Sequence, residues 1–311
     1  MNESGLVSVI IPTYNRADWL KIAIESVLTQ TYKHLELLIL DNCSSDHTPE
    51  VVAGFNDPRI KYLRHQCNIE SSANWTYGVY WAQGEYLSIL GDDDFYKPDF
   101  LASRLGAFDR FKKVQAVFSN YETCDDRGRL LSTSIRSFDS ETVMNGKELL
   151  TCIVTHTWFI GATLFRRGIV LTHWDHSTRA GHATDTSLKV RIALDPTNDV
   201  AWIHNDGLVV RQHQSQECNV RGKHVLFGYV AAFHEPLMFG NHTWGYRRLL
   251  KRGAAWAYDI IGRSSWDSGD IRVARQCFLR QLSAFPFNIM IWSRLLRCYF
   301  PWLYPVSPLL I

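Results

Sequence analysis

Short apolar runs alternate with stretches of helical periodicity over the first hundred residues of the chain. Residues 7–11 and 35–40 are almost wholly apolar, which is typical of strands buried on both faces of a parallel sheet. Residues 18–30 instead repeat apolar side chains three and four positions apart, which predicts a helix. The alternation continues with predicted strands at 60–64 and 86–90 and a predicted helix at 74–83. This order predicts an α/β fold with a mostly parallel sheet flanked by helices.

Polar residues follow three of these predicted strands directly. They occupy positions 13–16, 41–46 and 92–94. Ligands of open α/β sheets bind beyond the carboxyl ends of the strands. If the three strands are neighbours, the polar clusters converge on one crevice, and we expect the functional site there.

The third polar cluster consists of three consecutive acids, Asp92, Asp93 and Asp94, which follow Gly91. Carboxylates this close together at the end of a buried strand repel one another, and desolvation adds to the cost. A divalent cation removes that cost, since Mg²⁺ and Mn²⁺ prefer oxygen ligands and often share them with substrate phosphates. The pattern therefore favours a metal–diphosphate site, with an ordinary acidic turn as the alternative.

Taken in order, the motifs of this region resemble a family-2 glycosyltransferase with the GT-A fold. The matching features are Val-Ser-Val-Ile-Ile-Pro-Thr-Tyr-Asn-Arg at 7–16, Ser-Val-Leu-Thr-Gln-Thr-Tyr at 26–32, the loop at 41–46, Asn68 with Asn74 and Trp75, Gly-Glu-Tyr at 84–86, and the acids before Pro98. The resemblance implies a Rossmann-like GT-A domain that transfers a sugar from a nucleoside-diphosphate sugar to an acceptor hydroxyl, with inversion at the anomeric carbon. It also implies a Mn²⁺ or Mg²⁺ ion that bridges the two phosphates. Glu70, Thr76 and Gly91 depart from the residues common in the family, which leaves the details of donor recognition open.

The resemblance also implies roles for individual residues of this chain. Asp41 would accept a hydrogen bond from the base, and Asp93 best matches the metal-binding acid. His213 would complete the metal shell or touch the diphosphate, with a surface or packing role as the alternative. Arg211 would bind phosphate bidentately or pair with a structural acid. The implied donor-binding residues are Pro12, Thr13, Tyr14, Asn15, Asp41, Asn68, Asn74, Asp92 and Arg211, and the implied metal ligands are Asp93, Asp94 and His213.

An inverting transfer needs a carboxylate or imidazole that takes the proton of the acceptor hydroxyl. The resemblance places this base at the start of a helix after the metal site, and residues 181–188 fit that place. Asp185 is the matching acid, with Thr184 where the family more often has Glu. A helix cap is the alternative role for Asp185, and Asp175 and Asp206 are weaker candidates for the base.

Acceptor contacts are expected from residues 155–161, which the resemblance places under the acceptor site. Trp158 is the main candidate, because sugars stack on aromatic faces. Aromatic side chains bury large areas and are usually core residues, so packing stays open as the alternative. His182, beside the proposed base, is a weaker candidate for an acceptor contact.

Composition narrows the class of protein further. The chain has 311 residues, of which 46% are hydrophobic and 21% charged, as in an ordinary globular protein. The net charge of +2 and the lack of a basic stretch give no electrostatic case for nucleic acid binding. Seven scattered cysteines without a Cys-x-x-Cys pair argue against structural zinc and for a reducing compartment. No signal peptide is evident at the N-terminus, so we expect a cytoplasmic protein, in part at the cytoplasmic face of the membrane.

We expect two regions along the chain. Residues 1–225 would form the GT-A domain, with a nucleotide-binding half at 1–100 and an acceptor half at 101–225. Residues 226–311 would form a C-terminal helical appendage that ends in an apolar, aromatic tail. Prolines in that tail exclude a continuous membrane-spanning helix. Aromatic residues with a few arginines are typical of a segment that lies in the plane of a membrane surface, with docking on the catalytic domain or on a partner subunit as the alternatives.

The leading hypothesis is an inverting glycosyltransferase that builds a surface polysaccharide or glycolipid on a glycan or lipid-linked acceptor. A nucleotidyltransferase is an alternative, but it would usually show a Gly-rich, basic phosphate loop in the first turn, and residues 12–16 do not form one. A protein that binds sugar nucleotides or glycans without turnover is the second alternative. Retained donor hydrolysis would argue against it.

Overall fold

The computed structural model describes residues 5–133, 138–155, 158–175, 183–213 and 222–300. The chain divides into two compact units. The first unit comprises residues 1–178 and 191–214, and the second comprises residues 179–190 and 215–311. The first unit carries the sheets, and the second is built mainly from helices.

Among the described residues of the first unit, twelve strands form two sheets. The strands are β1 (Val7–Thr13), β2 (Leu35–Asp41), β3 (Ile60–Arg64), β4 (Tyr86–Ile89), β5 (Phe95–Tyr96), β6 (Ala116–Ser119), β7 (Glu122–Cys124), β8 (Leu130–Thr133), β9 (Thr142–Met144), β10 (Thr163–Arg166), β11 (Val200–Ile203) and β12 (Leu208–Arg211). The larger sheet has the order β3-β2-β1-β4-β10-β6-β11-β9, and the smaller sheet has the order β5-β12-β7-β8. In the larger sheet β1–β4 and the β6–β11 pair are parallel, while β9 and β10 run against their neighbours.

Eleven described helices accompany the sheets. Those up to residue 173 are α1 (Ala17–Leu28), α2 (Thr48–Ala53), α3 (Ser71–Trp81), α4 (Phe100–Arg110), α5 (Gly146–Val154) and α6 (Arg167–His173). The later ones are α7 (Thr184–Leu194), α8 (Gly222–Phe239), α9 (Trp244–Asp267), α10 (Ile271–Leu282) and α11 (Ile289–Tyr299), and a single 3-10 turn lies at Ile160–Ala162. The predicted α/β class with a mostly parallel sheet and C-terminal helices is confirmed.

The register of the central strands brings their carboxyl ends together. β1 and β2 pair in parallel from Val7 opposite Leu35 to Thr13 opposite Asp41. β4 pairs with the other side of β1, and the three acids leave this strand directly. β1 and β2 have near-zero exposure along most of their length, because the sheet is covered on both faces. The three polar clusters therefore lie at one edge of the sheet, as the sequence predicts.

The sequence pattern predicts one strand over 114–123, a hairpin-type turn at 125–128 and a further strand over 130–133. In the structure, β6 ends at Ser119 in the larger sheet, and β7 joins the smaller sheet. The Ser119 hydroxyl donates to the Asn120 carbonyl at 2.7 Å, and the fully buried Arg104 donates to the Ser119 hydroxyl. These side-chain bonds hold the crossing between the sheets. The predicted turn before β8 is present, with Gly128 at a φ of 82° where glycine is favoured.

The second unit has its own apolar packing. Ala274, Phe278, Ile291, Leu295 and Cys298 form a buried cluster between α10 and α11. A Cβ atom on Gly253 would come within 2.4 Å of the Phe233 ring, so glycine lets α8 and α9 approach closely. Across the described part of the chain, no helix combines the length and apolar character needed to cross a bilayer.

Candidate active site

Two turns at the ends of β1 and β2 are tied to each other by hydrogen bonds. The Asn15 backbone N–H donates to the Ser44 hydroxyl at 3.0 Å, and the Ser45 N–H donates to Asn15 Oδ1 at 2.7 Å. Asn15 and Cys43 have φ values of 54° and 66°, in the left-handed region that non-glycine residues rarely adopt. Such strain persists where the surroundings impose it, and it is enriched at functional sites.

The loop after β2 is organised around a fully buried carboxylate. Asp41 Oδ1 accepts from the Ser44 backbone N–H at 2.8 Å, and Oδ2 accepts from the Tyr62 hydroxyl at 2.6 Å. The Arg64 guanidinium lies 3.5 Å from Oδ2. Asp41 has no exposed surface, and these contacts hold the loop in place. A hydrogen bond that Asp41 accepts from the base stays a prediction.

The acids after β4 are bridged by a cation from the first turn. Arg16 Nη1 donates to Asp92 Oδ1 at 3.0 Å and to Asp93 Oδ2 at 2.7 Å. The Tyr14 backbone N–H lies 3.4 Å from Asp92 Oδ2, the long end of the hydrogen-bond range. One guanidinium nitrogen therefore bridges two neighbouring carboxylates at the edge of the sheet.

The segment after β12 reaches the same acids from the other side. His213 Nε2 lies 3.0 Å from Asp93 Oδ2, and its ring packs 4.1 Å from the Trp19 ring. The Arg211 backbone N–H donates to Asp94 Oδ1 at 2.9 Å. The sequence motifs at 91–94 and 209–213 thus meet in space, although they are over one hundred residues apart.

Burial sets the protonation of the acid cluster. Desolvation raises the pKa of the Asp92 carboxyl to about 6, against the lowering effect of the Arg16 guanidinium, and the neighbouring Asp93 adds to the rise. Desolvation, with the charge on Asp93 next, raises the pKa of the Asp94 carboxyl well above its usual range. The positive charge of Arg16 alone therefore does not offset the cost of burying the ionised Asp92 and Asp94 carboxylates.

Metal-ligand chemistry at these acids can be judged from the donor atoms present. Within the described ranges, no three His, Cys, Asp or Glu side chains are grouped as a ready-made metal site. The Asp93 carboxylate and the His213 imidazole nevertheless meet at one point, and oxygen and imidazole donors suit Mn²⁺. Arg16 holds the cation position between Asp92 and Asp93. The donor atoms of Asp93 and His213 are of the types that bind a divalent ion, and binding requires the Arg16 guanidinium to move away.

Asp94 and Arg211 have structural partners in this arrangement. Asp94 is buried and accepts from the Arg211 backbone. The Arg211 side chain is 2% exposed and donates to the carbonyls of Asp93, Asp125 and Asp126. This geometry favours the structural alternative for Arg211 over phosphate binding, while the metal-ligand role of Asp94 stays a prediction.

Other sequence candidates divide between core and surface. Trp158 is 2% exposed, donates its indole N–H to the Thr163 hydroxyl and stacks near Phe118, so packing accounts for it and it presents no face to a sugar. Asn74 is also buried and donates to the Leu40 carbonyl at 3.0 Å. Thr13 is buried, Pro12 is partly buried, and Tyr14 and Asn68 are exposed. His182 lies outside the described residues.

Asp185 is the second residue of α7 and belongs to the second unit. Lys189, one turn later, donates from Nζ to Asp185 Oδ2 at 3.0 Å, and the lysine side chain is 7% exposed. The Thr186 hydroxyl donates to the other oxygen, Oδ1, at 3.3 Å. Asp185 therefore accepts a charge-assisted hydrogen bond from Lys189. Asp175, one of the weaker candidates, is instead buried against Arg191.

Several residues of the site are missing from the sequence prediction. Arg16 contacts Asp92 and Asp93. Tyr62 contacts Asp41, and His65 contacts Asn74. Arg16 lies in the motif at 7–16, but its partners are 76 and 77 residues away. Tyr62 is 21 and His65 is 9 residues from its partner, so neither a helical nor a strand period connects the pairs. Lys189 is different, because an acid and a lysine four residues apart on a predicted helix are expected to form an ion pair.

Comparison with known proteins gives the family. The family model described as "Glycosyl transferase family 2" matches residues 8–169, which is more than half of the chain. The matched region contains both turns and the three acids. The chain therefore belongs to glycosyltransferase family 2, and the resemblance drawn from its motifs is confirmed.

Individual relatives agree with this assignment. The putative colanic acid biosynthesis glycosyl transferase WcaA of Escherichia coli (strain K12) is 32% identical over 126 residues, covering 40% of this chain and 45% of WcaA. The chain thus matches less than half of that relative's length. The crystal structure of S. aureus TarS 1–349 with UDP-GlcNAc has a TM-score of 0.67 at 14% identity, over 94% of this chain and 89% of the TarS 1–349 chain. The mannosyltransferase PcManGT from Pyrobaculum calidifontis, in complex with GDP-Man and Mn²⁺, has a TM-score of 0.56 at 16% identity, over 97% of this chain and 81% of PcManGT. At these identities the two structures show a shared fold.

Proposed function

We propose that the protein is an inverting glycosyltransferase that moves a sugar from a nucleoside-diphosphate sugar to an acceptor hydroxyl. The observation that carries the proposal is the convergence of the first turn, the acids and His213 at the carboxyl ends of β1 and β4. That edge is where open α/β sheets bind nucleotides. The solved TarS and PcManGT structures contain UDP-GlcNAc and GDP-Man, which supports a nucleotide-sugar donor.

Donor binding is assigned to the turn after β1 and the acids. Tyr14 is 44% exposed, so its ring is available to the base, while Asp41 fixes the adjoining loop from within. Asp92, next to the Tyr14 backbone, would lie near the ribose or sugar. Asp93 and His213 would hold the divalent ion, with Asp94 behind them. A bound Mn²⁺ or Mg²⁺ would supply neutralisation of the charge on the leaving diphosphate.

Proton removal is assigned to Asp185. As the acceptor oxygen bonds to the anomeric carbon, the bond from that carbon to the diphosphate oxygen breaks, and the hydroxyl proton passes to the Asp185 carboxylate. Lys189 and Thr186 orient that carboxylate through its two oxygens. Attack opposite to the leaving group gives inversion at the carbon.

A surface polysaccharide or glycolipid is the product class that we propose. The support is the similarity to WcaA, whose name places it in colanic acid biosynthesis. A glycan or a lipid-linked glycan is accordingly the proposed acceptor.

Nucleotide binding provides the first test of the function. We expect one of the UDP-, GDP- or dTDP-sugars to raise the melting temperature with Mn²⁺ or Mg²⁺ and to lose most of that effect with chelator. A CMP-sugar, which carries a single phosphate, should have no effect. A ligand at one hundred times its Kd stabilises the native state by about 2.7 kcal/mol. A shift with one nucleotide names the donor class. Absence of a shift with all three nucleoside-diphosphate sugars, in the presence of either metal, would contradict the assignment, and binding without donor hydrolysis or transfer would favour the turnover-free alternative.

We also propose that the C-terminal helix contacts an anionic membrane surface. Residues 271–311 contain five arginines and no acidic residue or lysine. Around α11, Phe287 is 95%, Ile289 81% and Met290 61% exposed. Apolar side chains with nearby arginines suit the boundary between acyl chains and anionic headgroups. The tail at 301–311, which lies outside the described residues, is apolar and aromatic in sequence and would extend the same contact.

Vesicle binding tests the membrane contact. We expect the full chain to sediment with vesicles containing phosphatidylglycerol and much less with pure phosphatidylcholine. Met290→Asp should weaken this binding about tenfold or more, because burial of a methionine side chain contributes about 1.5–3 kcal/mol. Met238→Asp is the matched control, since Met238 is 74% exposed on α8. Equal losses of vesicle binding in both variants would contradict a contact at α11. A loss of self-association in light scattering without loss of vesicle binding would make the surface a protein interface.

A further inference from the structure

Arg16 occupies a place that divalent ions commonly take in acid clusters. Its Nη1 atom lies between oxygens of Asp92 and Asp93, at 3.0 and 2.7 Å. The Asp93 oxygen that it binds is also the one that faces His213 Nε2. A carboxylate oxygen offers two lone-pair sites, so these two partners already fill Asp93 Oδ2. A metal ion bound through this oxygen must displace one of them.

Of the two partners of Asp93 Oδ2, Arg16 is the one that we expect a metal ion to displace. The His213 side chain is 4% exposed and packs on Trp19, which fixes its position. The Arg16 side chain is 21% exposed, and Arg16 is the residue immediately before α1. The carboxylates that it contacts are less exposed, at 9% for Asp92 and 13% for Asp93, so the guanidinium is the more accessible side of the pair. A diphosphate next to the first turn would present the planar, bidentate anion that a guanidinium prefers.

We propose that Arg16 is the resident counter-cation of the acid cluster, and that it exchanges from Asp93 to the donor diphosphate when a divalent ion binds. This inference rests on the proposed function, since it needs the donor to carry a diphosphate. It makes the two binding events cooperative. The nucleotide draws the Arg16 guanidinium away from Asp93, where the guanidinium competes with the divalent ion, so each ligand promotes the binding of the other. The coupling resides in one side chain that none of the sequence motifs singles out.

Mn²⁺ titrations followed by electron paramagnetic resonance test this exchange without any turnover. We expect wild-type protein alone to bind Mn²⁺ weakly, and Arg16→Met alone to bind it about 5–150-fold more tightly, the usual range for coupled sites. With chelator present, UDP, GDP and dTDP should bind Arg16→Met more weakly than wild type, in calorimetry with each nucleotide. The two affinities therefore move in opposite directions, whereas structural damage would lower both. Arg16→Lys keeps the charge and should stay close to wild type in Mn²⁺ affinity.

Arg110→Met is the matched control, because it removes another arginine–carboxylate pair, with Glu141, from an exposed part of the same unit. It should change neither affinity. The exchange is overturned if Arg16→Met binds Mn²⁺ no more tightly than wild type, or if its metal and nucleotide affinities fall together. A tighter Mn²⁺ site in Arg16→Met, with no nucleotide bound by any variant, would keep Arg16 as the counter-cation and refute the donor assignment instead.

Discussion

Asp93→Asn should abolish metal-dependent binding of the nucleotide-sugar donor and reduce kcat/KM about 10³-fold or more. Asp93 is the carboxylate that both Arg16 and His213 contact through one oxygen, so it is the centre of the cation position. The amide keeps the shape of the side chain but removes its charge. Stabilisation of the leaving diphosphate by a metal is worth several kcal/mol, and about 4 kcal/mol corresponds to 10³ in rate.

Calorimetry with the preferred nucleoside diphosphate, with Mn²⁺ and with chelator, checks the Asp93 prediction. Asp109→Asn is the control, because it removes an exposed carboxylate that pairs with Lys112. Wild-type diphosphate affinity for the Asp93→Asn protein in Mn²⁺ would refute the metal assignment. A variant that retains metal-dependent binding but loses only turnover would move Asp93 from metal binding to sugar positioning.

Asp185→Asn should leave donor binding intact and reduce transfer about 10²–10⁴-fold, the usual contribution of a general base. The carboxamide keeps the size of the side chain but has no carboxylate to take the acceptor proton. Because Lys189 is nearly buried and pairs with Asp185, the variant also leaves that lysine without its counter-charge. We therefore expect some loss of stability alongside the loss of activity.

Single-turnover kinetics and melting curves separate these two effects. Lys189→Met reports the stability effect, since it breaks the same pair while it keeps the Asp185 carboxylate. Asp206→Asn is the second comparison, because Asp206 is a weaker candidate for the base. Unaltered turnover in Asp185→Asn would remove this residue from the mechanism, and a large loss in Asp206→Asn alone would transfer the role.

Strand positions in the first hundred residues follow from the sequence because they depend on local pattern. The buried runs that begin at Val7 and Leu35 have few ways to be covered except between helices in a parallel sheet. Once those strands are neighbours, the turn at Asn15 and the acids at Asp92 must share one edge. The family motifs identify the same edge, and the fold therefore agrees with the prediction in its central part.

Side-chain partners were harder to predict, because they depend on distances between remote residues. Asp41 matches a base-binding position, yet Tyr62 and Ser44 bury it completely. From the sequence alone, Trp158 fits an acceptor contact as well as it fits the core. Its burial and its stacking against Phe118 favour the core. Arg16 lies in a recognised motif, and only the structure places its guanidinium on acids 76 and 77 residues away.

The wide sequence separation inside the acid cluster also matters during protein synthesis. Asp93 and Asp94 leave the ribosome 117–120 residues ahead of the Arg211 and His213 groups that complete their surroundings. At about 5–20 residues per second, that interval lasts roughly 6–24 seconds. Arg16 is synthesised before the acids, so it is the one cation of this group already on the nascent chain. The edge of the sheet can thus assemble around an internal ion pair well before the last strand of the smaller sheet is made.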